Sequence, residues 1–280
     1  MLIRNPYKRM NNSQIIANET QNQKDLLKLS QYEDWAKRAQ EVVFKMHRGN
    51  LQDMLPDSFI FEVPRMNASG DFYYVQVLPQ NRILVVVGDA PGYGIMGAFL
   101  HLVVDRLVTE CLHQEEIQEP SAVLKYLNTQ INKNLNEIVP LEDKAQVKLS
   151  VCVVDAMDGQ VTFAGAKQRM TYIKNGTVKE AKSSMYAVGT AMLEEKDIPT
   201  HVINLEEGVT QIYLSTDGFQ DQFGGGEGKR FMRKRLLDLF ENIHSKPQEE
   251  QKKQLEKAFN DWKGKENQVD DVLVLGFKLD

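Results

Sequence analysis

Two tight-turn signals constrain this chain more than any other feature. Asp158-Gly159 separates the apolar runs Val147 to Val154 and Val161 to Ala164, and Asn175-Gly176 separates Met170-Thr171-Tyr172-Ile173 from Thr177-Val178. Such dipeptides supply the positive φ of a two-residue hairpin, so each joins antiparallel neighbours. Further β-like runs are Phe59 to Val63, Phe72 to Leu78, the β-branched Arg82 to Val87, Val209 to Ser215 and Val272 to Leu279. Helical patterns occupy Gly94 to Cys111, Ser121 to Asn136 behind Pro120, Phe231 to Phe240 and Gln251 to Trp262. Hairpins dominate over βαβ units. The expected class is therefore α+β, with antiparallel sheets flanked by helix pairs and no doubly wound parallel sheet.

Before Pro56 the period is helical. Residues 1–24 are polar and Asn/Gln-rich and are expected to form a frayed lead-in. From Leu26 onward, Leu29, Tyr32, Trp35, Ala36, Ala39, Val42, Val43 and Met46 recur at three- and four-residue steps. The narrow stripe fits a helix packed on its own domain, and it also fits a dimerising or signalling helix. The expected division is a lead-in and amphipathic helix over 1–50 and one domain over 51–280.

Composition removes several function classes. The chain has 34 Lys+Arg against 39 Asp+Glu, a net charge of −5, so no excess positive field favours nucleic acid. Cys111 and Cys152 sit in apolar surroundings and suit neither a disulfide scaffold nor a Cys-rich zinc site. The start, MLIRNPYKRMNNSQ, has no apolar core after it. The longest uncharged stretch, Ala90 to Val104, is too short to span a bilayer and is broken by Pro91, Gly92, Gly94 and Gly97. A cytoplasmic protein without a membrane partner is expected. Gly225-Gly226-Glu227-Gly228-Lys229 fails as a phosphate loop, because Phe223 stands at its first glycine and Arg230 at its Ser/Thr. No two of the five histidines have the i, i+4 spacing of a helical zinc pair.

Four aspartate positions stand at strand ends. Asp71 precedes a strand in Ser69-Gly70-Asp71-Phe72-Tyr73, and Asp89 follows one in Val87-Gly88-Asp89. Asp217 follows one in Leu214-Ser215-Thr216-Asp217-Gly218, and Asp270-Asp271 precede the last. Singly, each reads as a turn residue. If the strands align, the carboxylates converge, and such a cluster calls for a hard divalent cation. Oxygen-only ligands favour Mg²⁺ or Mn²⁺ over zinc.

Those segments, with Gly-Asp-Ala-Pro-Gly-Tyr-Gly-Ile-Met-Gly-Ala-Phe at 88–99, Ser-Thr-Asp-Gly-Phe-Gln-Asp-Gln-Phe-Gly-Gly at 215–225 and Gln-Val-Asp-Asp-Val-Leu at 268–273, resemble the metal-dependent protein phosphatases. The likeness is to the bacterial SpoIIE-like branch of the PPM (protein phosphatase 2C) family, in order from about Asp34 to Leu279. It implies an α-β-β-α sandwich of two antiparallel sheets. It implies two Mg²⁺ or Mn²⁺ ions, with Asp89 between them, Asp71 and the Ala90 carbonyl on one side, and Asp217 and Asp270 on the other. Asp271 matches a supporting position. The implied reaction is hydrolysis of phosphoserine or phosphothreonine on a signalling protein by a water shared between the ions. The implied partner class in bacteria is an anti-sigma-factor antagonist, and a homodimer through the N-terminal helix is an expectation.

Two departures matter. Tyr93 stands where the family usually has His, which would weaken proton donation to a leaving alkoxide. Lys148 falls near a place where many relatives carry an acid able to hold a further metal, and a cation there argues against that site. A catalytically weak pseudophosphatase acting as a protein-binding module is the alternative. The cluster Arg230, Arg233, Lys234, Arg235 reads either as a dock for an acidic phosphoprotein or as a solvated helix face, and Arg65 is within plausible reach of a phosphate.

Overall fold

The computed structural model describes residues 12–47, 51–92, 94–114, 116–137, 144–193, 198–226 and 228–278, save the side chains of 12–20 and 44–47. Helix α1 (Asn12–His47) and the single turn α2 (Leu51–Met54) lead into strands β1 (Ser58–Val63), β2 (Asp71–Val77) and β3 (Ile83–Asp89). Helices α3 (Ile95–His113) and α4 (Pro120–Ile131) follow, and α4 runs on through a π turn at Asn132–Asn136. Then come β4 (Lys148–Asp155), β5 (Gln160–Ala166), β6 (Met170–Lys174), β7 (Thr177–Ala181), β8 (Thr200–Asn204) and β9 (Val209–Ser215). The short helix α5 (Gly218–Asp221), a ribbon of β10 (Phe223–Gly224) with β11 (Lys229–Arg230), helices α6 (Arg233–Ile243) and α7 (Gln248–Lys263), and β12 (Val272–Lys278) complete the order.

The strands form two five-stranded antiparallel sheets, β1-β12-β9-β6-β7 and β2-β3-β4-β5-β8. Both anticipated hairpins are present, β4–β5 and β6–β7, with Gly159 and Gly176 at positive φ. Side-chain alternation sets the layers. In β3, Leu84 and Val86 pack under α3 and α4, while Val85 and Val87 face the other sheet. In β12, Leu273, Leu275 and Phe277 enter the inter-sheet core, while Val272 and Val274 face α6 and α7. Near-continuous apolar runs such as β3 and β12 are what a strand covered on both faces requires. The result is the expected α-β-β-α sandwich. Cys111 and Cys152 are buried free thiols, and burial pushes the Cys152 thiol up to about 12. Among the described residues no helix is long and apolar enough to cross a membrane.

Two elements differ from expectation. Helix α1 starts at Asn12, so the polar segment from there to residue 24 is helical. No Gly or Pro interrupts 12–47, and the Gln, Lys, Leu and Ala it contains favour helix through its polar first part as well. The helix also rests on the domain through only one edge of its apolar stripe, joined by two polar residues. Glu33, Ala36, Gln40 and Val43 are its buried or half-buried positions, while Trp35 is 68% exposed and Leu26 66%. Strand β8 was not anticipated. It is an edge strand whose Thr-His-Val-Ile-Asn sequence alternates weakly and buries only Ile203.

Candidate active site

One end of the sandwich gathers the strand-end aspartates. Asp71 opens β2 and pairs across the ladder with Asp89, which closes β3; Asp89 pairs in turn with Lys148, which opens β4. Residues on one rung of adjacent strands point to the same face. From the other sheet come Asp217, just after β9, and Asp270-Asp271, just before β12.

Close backbone approach brings these ends together. A Cβ on Gly70 would lie 2.4 Å from the Ala90 carbonyl oxygen, and one on Gly218 would lie 1.8 Å from that of Asp271. Glycine is required at both positions for that reason. The Ala90 amide donates to the Gly70 carbonyl at 3.1 Å, which seats Ala90 beside Asp71. Thr216 reaches across from the other sheet, and its hydroxyl donates to Asp71 Oδ2 at 2.6 Å. Asp271 also crosses, accepting from the Arg65 amide at 2.6 Å and the Gly70 amide at 2.8 Å. Both its oxygens are thus engaged in fixing the loop before Asp71.

The carboxylates oppose one another's charge. Burial, then the charge of Asp89, raises the Asp71 carboxyl well above the usual range, against the lowering effect of Thr216. Burial and Asp217 raise Asp89 against the pull of Lys148. Burial, then Asp89, raises Asp270 to about 6. The Lys148 ammonium lies 2.6 Å from Asp89 Oδ2 and 2.6 Å from Asp217 Oδ2, linking the two sheets. Burial would lower its pKa, and the two carboxylates outweigh that and raise it. A cleft of about 300 Å³ opens beside this pair, lined by Lys148, Lys167, Thr216, Asp217, Gln220 and Arg233 among others.

Residues 79–280 match the family described as Stage II sporulation protein E (SpoIIE). The chain belongs to the SpoIIE family. Among solved structures it is similar to the SiaA-PP2C domain of Pseudomonas aeruginosa, at 26% identity and TM-score 0.79, over 91% of this chain and 99% of that one. The PP2C phosphatase domain of SpoIIE from Bacillus subtilis, with a fragment of its regulatory domain, shares the fold at 16% identity and TM-score 0.63, over 79% of this chain and 63% of that one. So does RsbX, solved in complex with magnesium, at 14% identity and TM-score 0.55, over 79% and 94%. No curated protein matches the chain. This SpoIIE-family chain therefore carries a PP2C-type phosphatase domain.

The donor set fits a hard divalent ion. It is all oxygen, it is short of positive charge, and Gly70 keeps the space beside the Ala90 carbonyl free of a side chain. Among the described residues, however, no three Asp, Glu, His or Cys side chains close into a ready cage. Lys148 stands between two of the four aspartates.

Sequence reasoning placed the four aspartates and missed what holds them. Thr216 is adjacent to Asp217, and its neighbourhood was the available signal. The network behind Asp71 had none: Gln40 of α1 donates to the Ser69 carbonyl at 2.7 Å, accepts from the Ser69 amide at 3.3 Å, and hydrogen-bonds His101 Nδ1 at 2.7 Å. His101 stacks on Phe72 at 4.6 Å. The basic cluster after the Gly-rich loop is partly engaged within the chain. Arg233 donates to Glu180 and Thr171, Arg235 lies 4.6 Å over the Trp262 ring, and Arg230 pairs with Asp221. Tyr93 lies outside the described residues.

Proposed function

We propose that the chain is a metal-dependent protein phosphatase that hydrolyses phosphoserine or phosphothreonine on a signalling protein. The observation that carries this is the convergence of Asp71 and Asp89 from one sheet with Asp217 and Asp270 from the other, beside an open cleft, with burial and mutual charge raising the carboxyls of Asp71, Asp89 and Asp270. Asp71, Asp89, Asp217, Asp270 and the Ala90 carbonyl are the residues that would hold two Mg²⁺ or Mn²⁺ ions. Such ions supply hydroxide at neutral pH and neutralise charge building on the phosphoryl oxygens. The chain's own residues fix the frame. Thr216 aims Asp71, Asp271 clamps the loop before it, and the cleft beside Asp217 admits a phosphorylated side chain on a protein surface. No Cys or Ser nucleophile is needed, which suits Cys111 and Cys152 being buried and remote in their cores.

The partner proposed is a phosphoprotein of the anti-sigma-factor-antagonist class, met in the cytoplasm, and the oligomer proposed is a homodimer through α1. A second reading, a weakly catalytic binding module, draws on the Lys148 bridge between Asp89 and Asp217. Hydrolysis of a phosphoserine peptide with Mn²⁺, with and without a chelator, separates the two. Release of phosphate that stops on chelation supports the phosphatase. Absence of turnover at saturating Mn²⁺ supports the binding module.

A further inference from the structure

Lys148 sits where a charge of its sign is most consequential. It shares a rung with Asp71 and Asp89, and its ammonium touches one oxygen of Asp89 and one of Asp217. Those two carboxylates come from opposite sheets, so one ammonium spans the junction that ions would otherwise bridge. The side chain is only 31% exposed although it stands at a strand end beside an open cleft. A lysine there that served only solubility would extend into water. This one is turned inward on the two carboxylates.

We infer that Lys148 is a tethered cation of the centre: it holds Asp89 and Asp217 together without metal and excludes a divalent ion from the position between their Oδ2 atoms. The inference rests on the metal-dependent reading above. It leaves Asp71, the Ala90 carbonyl, Asp270 and the second oxygens of Asp89 and Asp217 to the ions proposed there. The ammonium is covalently attached, so neither chelation nor dilution removes it. It carries one charge where an ion would carry two, and it cannot activate water. Lys148 is in this sense a positioning residue, and it sets how many ions the centre takes and how tightly.

The test is Mn²⁺ binding by the whole chain, read from free Mn²⁺ by electron paramagnetic resonance and from metal analysis after equilibrium dialysis. Lys148→Met removes a positive charge close to the ions and should tighten Mn²⁺ binding by at least about tenfold. Lys148→Asp adds a third carboxylate and should bind one more Mn²⁺ per chain than the wild type. Lys148→Arg keeps the charge and should stay within a few-fold of wild type. Met binding no tighter, or Asp binding no additional ion, overturns the inference while leaving a metal-binding phosphatase intact. Should neither wild type nor variants bind Mn²⁺, both readings fall. The wild type supplies a second measurement if a variant does not fold. At saturating Mn²⁺ the Lys148 amine should stay protected from an acylating reagent relative to exposed Lys234. Labelling equal to that of Lys234 means that the ion displaces the lysine, and the inference is wrong.

Discussion

Asp71 is 3% exposed and faces Asp89 across its ladder, so its charge is opposed both by burial and by a neighbour. The same holds in lesser degree for Asp89 and Asp270. Each has a folded pKa above its unfolded value, so the metal-free folded protein keeps protons that the unfolded chain has released. Stability of the metal-free protein should therefore fall as pH rises from about 4 through about 6, where Asp270 ionises in the fold. Thermal melts in chelator at several pH values check this, and saturating Mn²⁺ should reverse the slope because the ion favours the ionised form. A flat profile in chelator would contradict the crowding described. Asp89→Asn and Asp217→Asn should each abolish turnover on a phosphoserine peptide. Metal-free stability should stay level or rise in both, since either leaves Lys148 one carboxylate and relieves repulsion. Near-normal turnover of either variant at saturating Mn²⁺ would remove that residue from the ligand set. The four aspartates were legible because Asp is a poor strand residue placed at four strand ends. Thr216 and Gln40 were not, because a hydroxyl or amide that holds a ligand leaves no pattern in sequence until the sheets are brought face to face.

Among the elements, α1 does two things at once. Its inner seam reaches the active end through Gln40, which satisfies both polar groups of the Ser69 backbone and contacts His101. Gln40→Ala leaves those buried groups unpaired and should cost about 1–3 kcal/mol in urea unfolding. It should also weaken Mn²⁺ binding, since Ser69 Oγ accepts from the Asp71 amide at 3.1 Å. A loss of stability with unchanged Mn²⁺ affinity would make Gln40 a packing residue alone. The outer face of α1 carries Leu26, Leu29, Tyr32, Trp35 and Val42 in the open. If that face pairs two chains, Trp35→Glu should halve the mass seen by light scattering, and an unchanged mass would exclude the dimer through α1. Most elements could be located from sequence, because hairpin dipeptides and doubly covered strands write strong local signals. The packing face of α1 could not. Its contact with the domain is made by Glu33 and Gln40 with only Ala36 and Val43 of the stripe, and a polar residue such as Gln40 that becomes buried through hydrogen bonds looks like a solvated one in a periodicity.

Taken whole, the molecule draws the side chains proposed to hold metal equally from two sheets, so an ion held among them would fasten one sheet to the other. Mn²⁺ at a hundred times its Kd should stabilise the fold by about 2.7 kcal/mol. It should also slow amide exchange at the first residues of β2 and β12 together, and slowing at one sheet only would contradict a shared centre. Strand β12 lies between β1 and β9 in its sheet although it is the last strand in sequence. A nascent or truncated chain that stops before Val272 has every other strand, yet its sheet has a gap in the middle and nothing to anchor Asp270 and Asp271. The loop before Asp71 then lacks the carboxylate that clamps it. If the centre works as proposed, partial translation products are silent by construction: it is assembled only when β12 slots in, and a chain that stops before β12 should show no half-active hydrolysis of a phosphoserine peptide.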